Sequence, residues 1–202
     1  MDIAYHLRSE RLHLEAFDPA ATAEVLDVLR SDQNRLARYM PFAVEIPSHA
    51  KQADVFTGFR AGFVDKNYFF FIRERSTERF LGGCGLHPEA GPLGRVSGYW
   101  LREDAVGQGY ASEALTMLCH LAFHQEGVDR VELHIEPDNE PSIAVGERLG
   151  FTKEALLRRR FPWPNEAPRD VLVFTLFRSE FDRLPLSEFK MERFDSSDAP
   201  LL

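Results

Sequence analysis

Between Tyr99 and Ala114 the chain passes from a strand pattern, through Gly107-Gln108-Gly109, into the first turn of a helix. Such a junction leaves backbone N–H groups pointing outward at the helix N-terminus, where the helix dipole also favours negative charge. Gly107 and Gly109 remove side chains where a phosphate needs close approach to backbone. The segment therefore reads as an anion site. A second signal follows downstream, at Asn139-Glu140-Pro141-Ser142 and then Leu149-Gly150-Phe151.

The rest of the chain fits round this junction. Arg11 to Phe17 alternates as a first strand, and Asp18-Pro19 opens a helix running to about Arg38. Met40-Pro41-Phe42 breaks it, and a second helix starts near Ser48. Strands are predicted over Tyr68–Arg73, Arg79–Leu86 and Arg95–Leu101; their short connections make them antiparallel neighbours. A long helix runs from Gly109 to Gln125, with Gly127 beyond its end. Arg130 to Glu136 alternates as a strand, Asn139 caps a short helix to Leu149, and Phe151–Phe161 with Val171–Phe177 form a closing hairpin. The predicted order is β-α-α-β-β-β-α-β-α-β-β over residues 1–182. Residues 183–202 carry Phe189, Met191, Phe194, Leu201 and Leu202 among charges, which suits a frayed tail, an arm docked on the body, or a contact between two copies in a homodimer.

The chain has 202 residues and a net charge of −8, which argues against nucleic acid as a partner. Its two cysteines, Cys84 and Cys119, form no metal-binding spacing and no disulfide framework. No metal is expected. No run approaches membrane-spanning length and the start has no basic-then-apolar leader, so the expected location is cytoplasmic, without a membrane partner.

The element order, the Gly107–Ala114 turn, Asn139-Glu140-Pro141-Ser142 and Leu149-Gly150-Phe151 together resemble the GNAT superfamily of N-acetyltransferases. Arg11-Leu12-His13-Leu14 and Met40-Pro41-Phe42 narrow the resemblance to its ribosomal-protein N-acetyltransferase-like branch, over about residues 8 to 181. The resemblance implies an α/β (α+β) fold: a mixed, mostly antiparallel sheet whose middle strands, 96–101 and 130–136, splay apart, with helices on both faces. Acetyl-CoA would enter that gap. Its pantetheine arm would pair near Trp100, Leu101 and Arg102, with Asn139 and Ser142 close by. Its pyrophosphate would meet Gly107, Gln108, Gly109, Tyr110, Ala111 and Ser112. Two departures stand out. Asp104 occupies a position where the superfamily often has Gln or Arg, and no Tyr follows Tyr110 to serve as the usual acid.

Transfer to an amine then needs a deprotonated nucleophile, donors for the oxyanion and a proton for the departing thiolate. Ser142 is the candidate donor to the thiolate, three residues after Asn139 in the same helical turn; the alternative is that Asn139 caps and Ser142 completes the turn. Glu136 and His134, on one face of their strand with Glu132, are the candidate bases; each also fits as a packing residue, and water alone can serve an α-amine of pKa ~7.7–8.0. Trp100 and Tyr110 suit either the cofactor slot or the core. Pro162-Trp163-Pro164 suits a roof over the acceptor, with Glu166 and Asp170 beside it, or a surface turn. The acceptor is expected to be a peptide N-terminal α-amine, with a polyamine, an antibiotic, or a non-catalytic acyl-CoA sensor as alternatives. A dinucleotide-binding module fits poorly, because Ser112 stands where its third glycine belongs.

Overall fold

The computed structural model describes residues 3–201; Met1, Asp2 and Leu202 lie outside the described residues. Nine strands form one sheet in the order β7-β8-β6-β5-β4-β3-β2-β1-β9. They are β1 (His6–Arg8), β2 (Leu12–Ala16), β3 (Tyr68–Glu74), β4 (Phe80–His87), β5 (Gly94–Leu101), β6 (Arg130–Ile135), β7 (Thr152–Phe161), β8 (Arg169–Phe177) and β9 (Glu192–Phe194). The helices are α1 (Thr22–Ser31), α2 (Gln33–Leu36), α3 (His49–Ala61), α4 (Tyr110–His120), α5 (Glu140–Arg148) and α6 (Arg178–Phe181).

Strand β3 shows why the sheet is covered on both faces. Tyr68, Phe70 and Ile72 enter one core with Leu115, Leu118 and Phe123 of the α4 segment; Phe71 enters the other with Val25 and Leu29 of α1 and Phe56 of α3. Alternating side chains of one strand thus serve two hydrophobic layers. The tight connections of β3, β4 and β5 give antiparallel pairs, as predicted. Among the described residues the one parallel pair is β5 with β6, which α4 joins as a crossover.

Local signals act where the sequence places them. Asp18 accepts from Ala20 N–H at 2.8 Å, Ser48 caps α3 through Lys51 N–H, and Asn139 caps α5 through Ser142 N–H. The first helix differs from expectation: a 3-10 turn at Pro19–Ala21 precedes α1, and Asp32 separates α1 from α2. The long helix continues past His120 as a π-helical turn, Leu121–Glu126. β1 and β9 were absent from the sequence reading. Each has three residues, too few to display a period of two. β9 pairs with β1, so residues 192–194 extend the sheet edge, and Arg8 clamps Asp198 at 2.8 Å. No described helix is long and apolar enough to cross a membrane.

Candidate active site

The sheet opens at its centre. β5 and β6 are paired from Gly94/Arg130 to Ser97/Leu133, and there the register ends. Both strands run on, β5 to Leu101 and β6 to Ile135, and diverge. On its other side β5 stays bonded to β4, with Arg102 N–H donating to Leu81 O. Strand alternation therefore turns the peptide groups of Leu101 toward the opening, where Arg35 Nη2 donates to Leu101 O at 2.5 Å.

One mouth of the opening carries the glycine turn. Gly107 has φ 78° and Gly109 φ 82°, the left-handed region that favours glycine. A Cβ on Gly107 would meet nothing within 4 Å, so the space over the turn is open. The N–H groups from Gly107 to Ser112 have no hydrogen-bond partner among the described residues. Arg11 donates to Gln108 O at 3.0 Å but is ion-paired with Glu113, so the added positive charge beside the turn comes from Arg148 at the end of α5, which reaches Ser112 Oγ at 3.3 Å. Asp104 does not oppose it: its carboxylate is taken by Arg102 at 2.6 Å and Arg79 at 2.9 Å. These features fit a pyrophosphate.

Tyr110 points elsewhere. Its ring is buried, its hydroxyl donates to Glu74 at 2.9 Å and Arg11 lies over its face, which leaves only its backbone N–H at the turn. Ala111 packs on the core. The Leu101 side chain is buried, and Arg102 is spent on Asp104 and Phe80 O. For these residues the backbone is what faces a ligand.

On the opposite face lies a cleft of about 550 Å³, reached by Trp100, Asn139, Ser142, His134 and Glu136. Glu136 follows the last residue of β6 and is buried. Its Oε2 is held by Arg169 at 3.0 Å, while Oε1 has no partner. Burial raises its pKa above the usual carboxylate range, with Arg169 opposing. His134 is exposed and turned to Glu132, with Nε2 3.1 Å from Oε2. The loop containing Trp163 acts indirectly. Trp163 is buried, and Arg169 stacks on it at 3.3 Å. Glu166 holds the same guanidinium at 3.1 Å, whereas Asp170 caps Arg159 N–H.

Sequence reasoning missed Tyr99. It stands on β5 where the strands part, and its hydroxyl is buried beside Ser142 without hydrogen-bond geometry to it. Burial pushes the Tyr99 pKa up, and the Ser142 contact opposes this. The pattern around Tyr99 shows an apolar strand, but not that the strand loses its neighbour at that point. Arg11, Arg148 and Arg169 were missed for a like reason: each reaches the site from a distant segment.

The family described as Acetyltransferase (GNAT) domain matches residues 11–152. The uncharacterized N-acetyltransferase p20 of Bacillus licheniformis is 34% identical over 113 residues, 55% of this chain and 63% of p20. The chain thus spans less than two thirds of that relative. RimJ of Mycobacterium smegmatis, solved with CoA-disulfide, superposes with TM-score 0.78 at 23% identity, covering 92% of each chain. RimL, a ribosomal L7/L12 alpha-N-protein acetyltransferase solved with coenzyme A, gives TM-score 0.75 at 20% identity over 89% of this chain and 99% of its own.

Proposed function

We propose, from the premise that this chain belongs to the GNAT acetyltransferase family, that it moves the acetyl group of acetyl-CoA to a primary amine by direct attack. The observation that carries this reading is the parting of β5 from β6 beyond Ser97/Leu133, with the anion-accepting turn at one mouth and the Glu136 cleft at the other. In this reading the free edge of β5 near Trp100 receives the pantetheine arm, and the N–H groups of Gly107–Ser112 receive the pyrophosphate.

Glu136 takes a proton from the incoming ammonium at Oε1, the oxygen without a partner. The amine lone pair attacks the thioester carbon, and backbone N–H groups on the free edge of β5 stabilise the oxyanion. The C–S bond breaks, the Ser142 hydroxyl beside Tyr99 passes its proton to the departing thiolate, and the proton that the nitrogen sheds on becoming an amide restores the Ser142 hydroxyl. The products are an amide and the free thiol of coenzyme A. No enzyme-bound acyl group is needed, and burial pushes the Cys84 and Cys119 thiols up, away from nucleophilic character. His134 is the weaker base, because its ring is committed to Glu132.

A peptide N-terminal α-amine is the favoured acceptor. It needs little deprotonation at neutral pH, against about 1.4 kcal/mol per unit for a lysine of pKa ~10.4. RimL, a neighbour in fold, is a ribosomal L7/L12 alpha-N-protein acetyltransferase, which supports this choice. The cytoplasmic location expected from the sequence is part of the same reading. The test is acetyl-CoA binding by calorimetry, then thiol release against N-terminal peptides, polyamines and aminoglycosides. Binding with turnover on one class supports the reading. Binding without turnover points to a sensor, and absence of binding refutes the placement of the turn.

A further inference from the structure

The cleft contains far more apolar surface than transfer chemistry needs. Phe17, Phe56, Phe59 and Phe69 wall it, together with Trp100 and Phe42. Phe59 stacks on Phe69 at 3.7 Å and 10°, and Phe42 tilts over Trp100 at 5.8 Å, so the walls hold one another in place.

The floor is made of glycines. A Cβ on Gly83 would come within 2.8 Å of Trp100 Nε1, and one on Gly85 within 2.4 Å of His87 Cε1. Those two glycines let aromatic side chains lie close to the sheet. A Cβ on Gly98 would meet nothing within 4 Å. The space above Gly98 belongs to the cleft.

Among the described residues the one buried charged side chain in the lining is Glu136, whose Oε1 has no partner, while the neutral polar groups Tyr39, His87 and Ser97 are held by Asp138 O, Asn67 Oδ1 and Gly85 O. The fully charged side chains elsewhere in the lining, Glu45 and Lys51, are exposed. The volume of about 550 Å³ is that of a small-ligand pocket, ~300–1,000 Å³. With the acetyl-pantetheine end beside Trp100 and Ser142, a serine or alanine side chain at the acceptor's first position would still leave the part walled by phenylalanine empty. Apolar walls with one polar end suit an amine whose other end is apolar and bulky.

We infer that the acceptor is a primary amine joined by a short link to an aromatic or branched apolar group, the nitrogen at Glu136 and the apolar group between Phe59 and Trp100 over Gly98. The inference rests on the transferase reading above and narrows it. A free arylalkylamine and the N-terminus of a peptide beginning with phenylalanine share this chemistry.

The experiment compares kcat/KM, with saturating acetyl-CoA, for 2-phenylethylamine against ethylamine, and for Phe-Ala-Ala-Ala against Gly-Ala-Ala-Ala. Burial of a phenyl group corresponds to about tenfold to a hundredfold. A preference above about tenfold in either pair supports the inference, and the pair that shows it identifies the source. Gly98→Val, which suits a strand and fills the cleft, is expected to cut that preference to below about threefold. Phe59→Leu, which keeps an apolar wall, is expected to reduce it in the same direction. Acetyl-CoA affinity by calorimetry reports whether each variant is folded. Turnover with a preference below about tenfold in both pairs overturns the inference and leaves the transferase reading intact. No turnover of any amine by protein that binds acetyl-CoA overturns both.

Discussion

Glu136 and Arg169 form an ion pair of 3.0 Å at the end of β6 that engages only one carboxylate oxygen. Arg169 is fixed in turn by Trp163 and by Arg38 O at 2.8 Å. The pair thus orients Glu136 while leaving Oε1 for a proton. Burial holds the Glu136 pKa above the usual carboxylate range, and Arg169 opposes that rise. A carboxylate base works only when ionised, so activity falls on the acid side of its pKa. Arg169→Gln removes the opposing charge and is expected to move the acid limb of kcat/KM to higher pH, with a larger loss at pH 6 than at pH 8. Glu136→Gln is expected to lower kcat/KM by about 10²–10⁴ and to abolish that limb. An acid limb that survives in Glu136→Gln assigns the base elsewhere.

Ser142 and Tyr99 place two hydroxyls where the strands part. In Ser142→Ala the cap on α5 survives, because Asn139 accepts from the backbone N–H of residue 142. The expected result is a drop in kcat of about 10²-fold with acetyl-CoA affinity within about threefold. Tyr99→Phe keeps the ring in the core and removes a buried hydroxyl without a hydrogen-bond partner. Its stability is expected to match or exceed the parent, because no hydrogen bond is lost. A fall in kcat in this variant with unchanged KM for the amine separates a chemical role from packing. Unchanged kcat in both variants would leave the thiolate without a protein donor.

At Gly109 the backbone has φ 82°, and a Cβ there would stand 3.4 Å from Arg11 Nη2. Gly109→Val therefore strains the backbone by roughly 1–2 kcal/mol and crowds the N–H groups proposed to receive the pyrophosphate. The expected outcome is acetyl-CoA affinity weakened at least about tenfold, with thermal stability lowered by a few degrees. Gly107→Ala meets open space and is expected to weaken binding less. Affinity unchanged in Gly109→Val refutes the pyrophosphate site.

The parts of the site that were legible in sequence are those made by neighbours in the chain. The glycine turn, the Asn139 cap and the run of antiparallel strands each depend on residues within a few positions, and their spacing survives folding. Glu136 was legible as a carboxylate at a strand end, but its burial and its one-sided pairing come from Arg169, which meets it only when β8 joins β6. Tyr99 and Ser142 are likewise brought together by the path of β5 past α5. The cleft walls combine rings from β2's end, α3, β3 and β5, so the abundance of phenylalanine was visible and its division between core and cleft was not. β9 depends for its pairing on β1, across most of the chain, which short-range pattern does not report, and β1, paired also with its neighbour β2, is only three residues long.

His87 gives a stability prediction independent of turnover. Its ring lies against Phe69, with Nδ1 2.8 Å from Asn67 Oδ1, and burial pushes its pKa down to about 4. An unfolded histidine titrates near 6.5. Between these values the unfolded chain binds a proton that the folded chain excludes, so stability rises with pH through this window. The contribution is fully present above about 6.5 and is lost as the pH falls through about 4. It amounts to roughly 3 kcal/mol, and His6 and His120, also lowered first by burial, act in the same direction. In urea unfolding at a series of pH values, His87→Gln is expected to lose about 2–3 kcal/mol less than the parent between pH 7 and pH 4. Parallel curves for the two proteins would mean that the folded state admits a proton on His87, and that this end of the cleft is open to water.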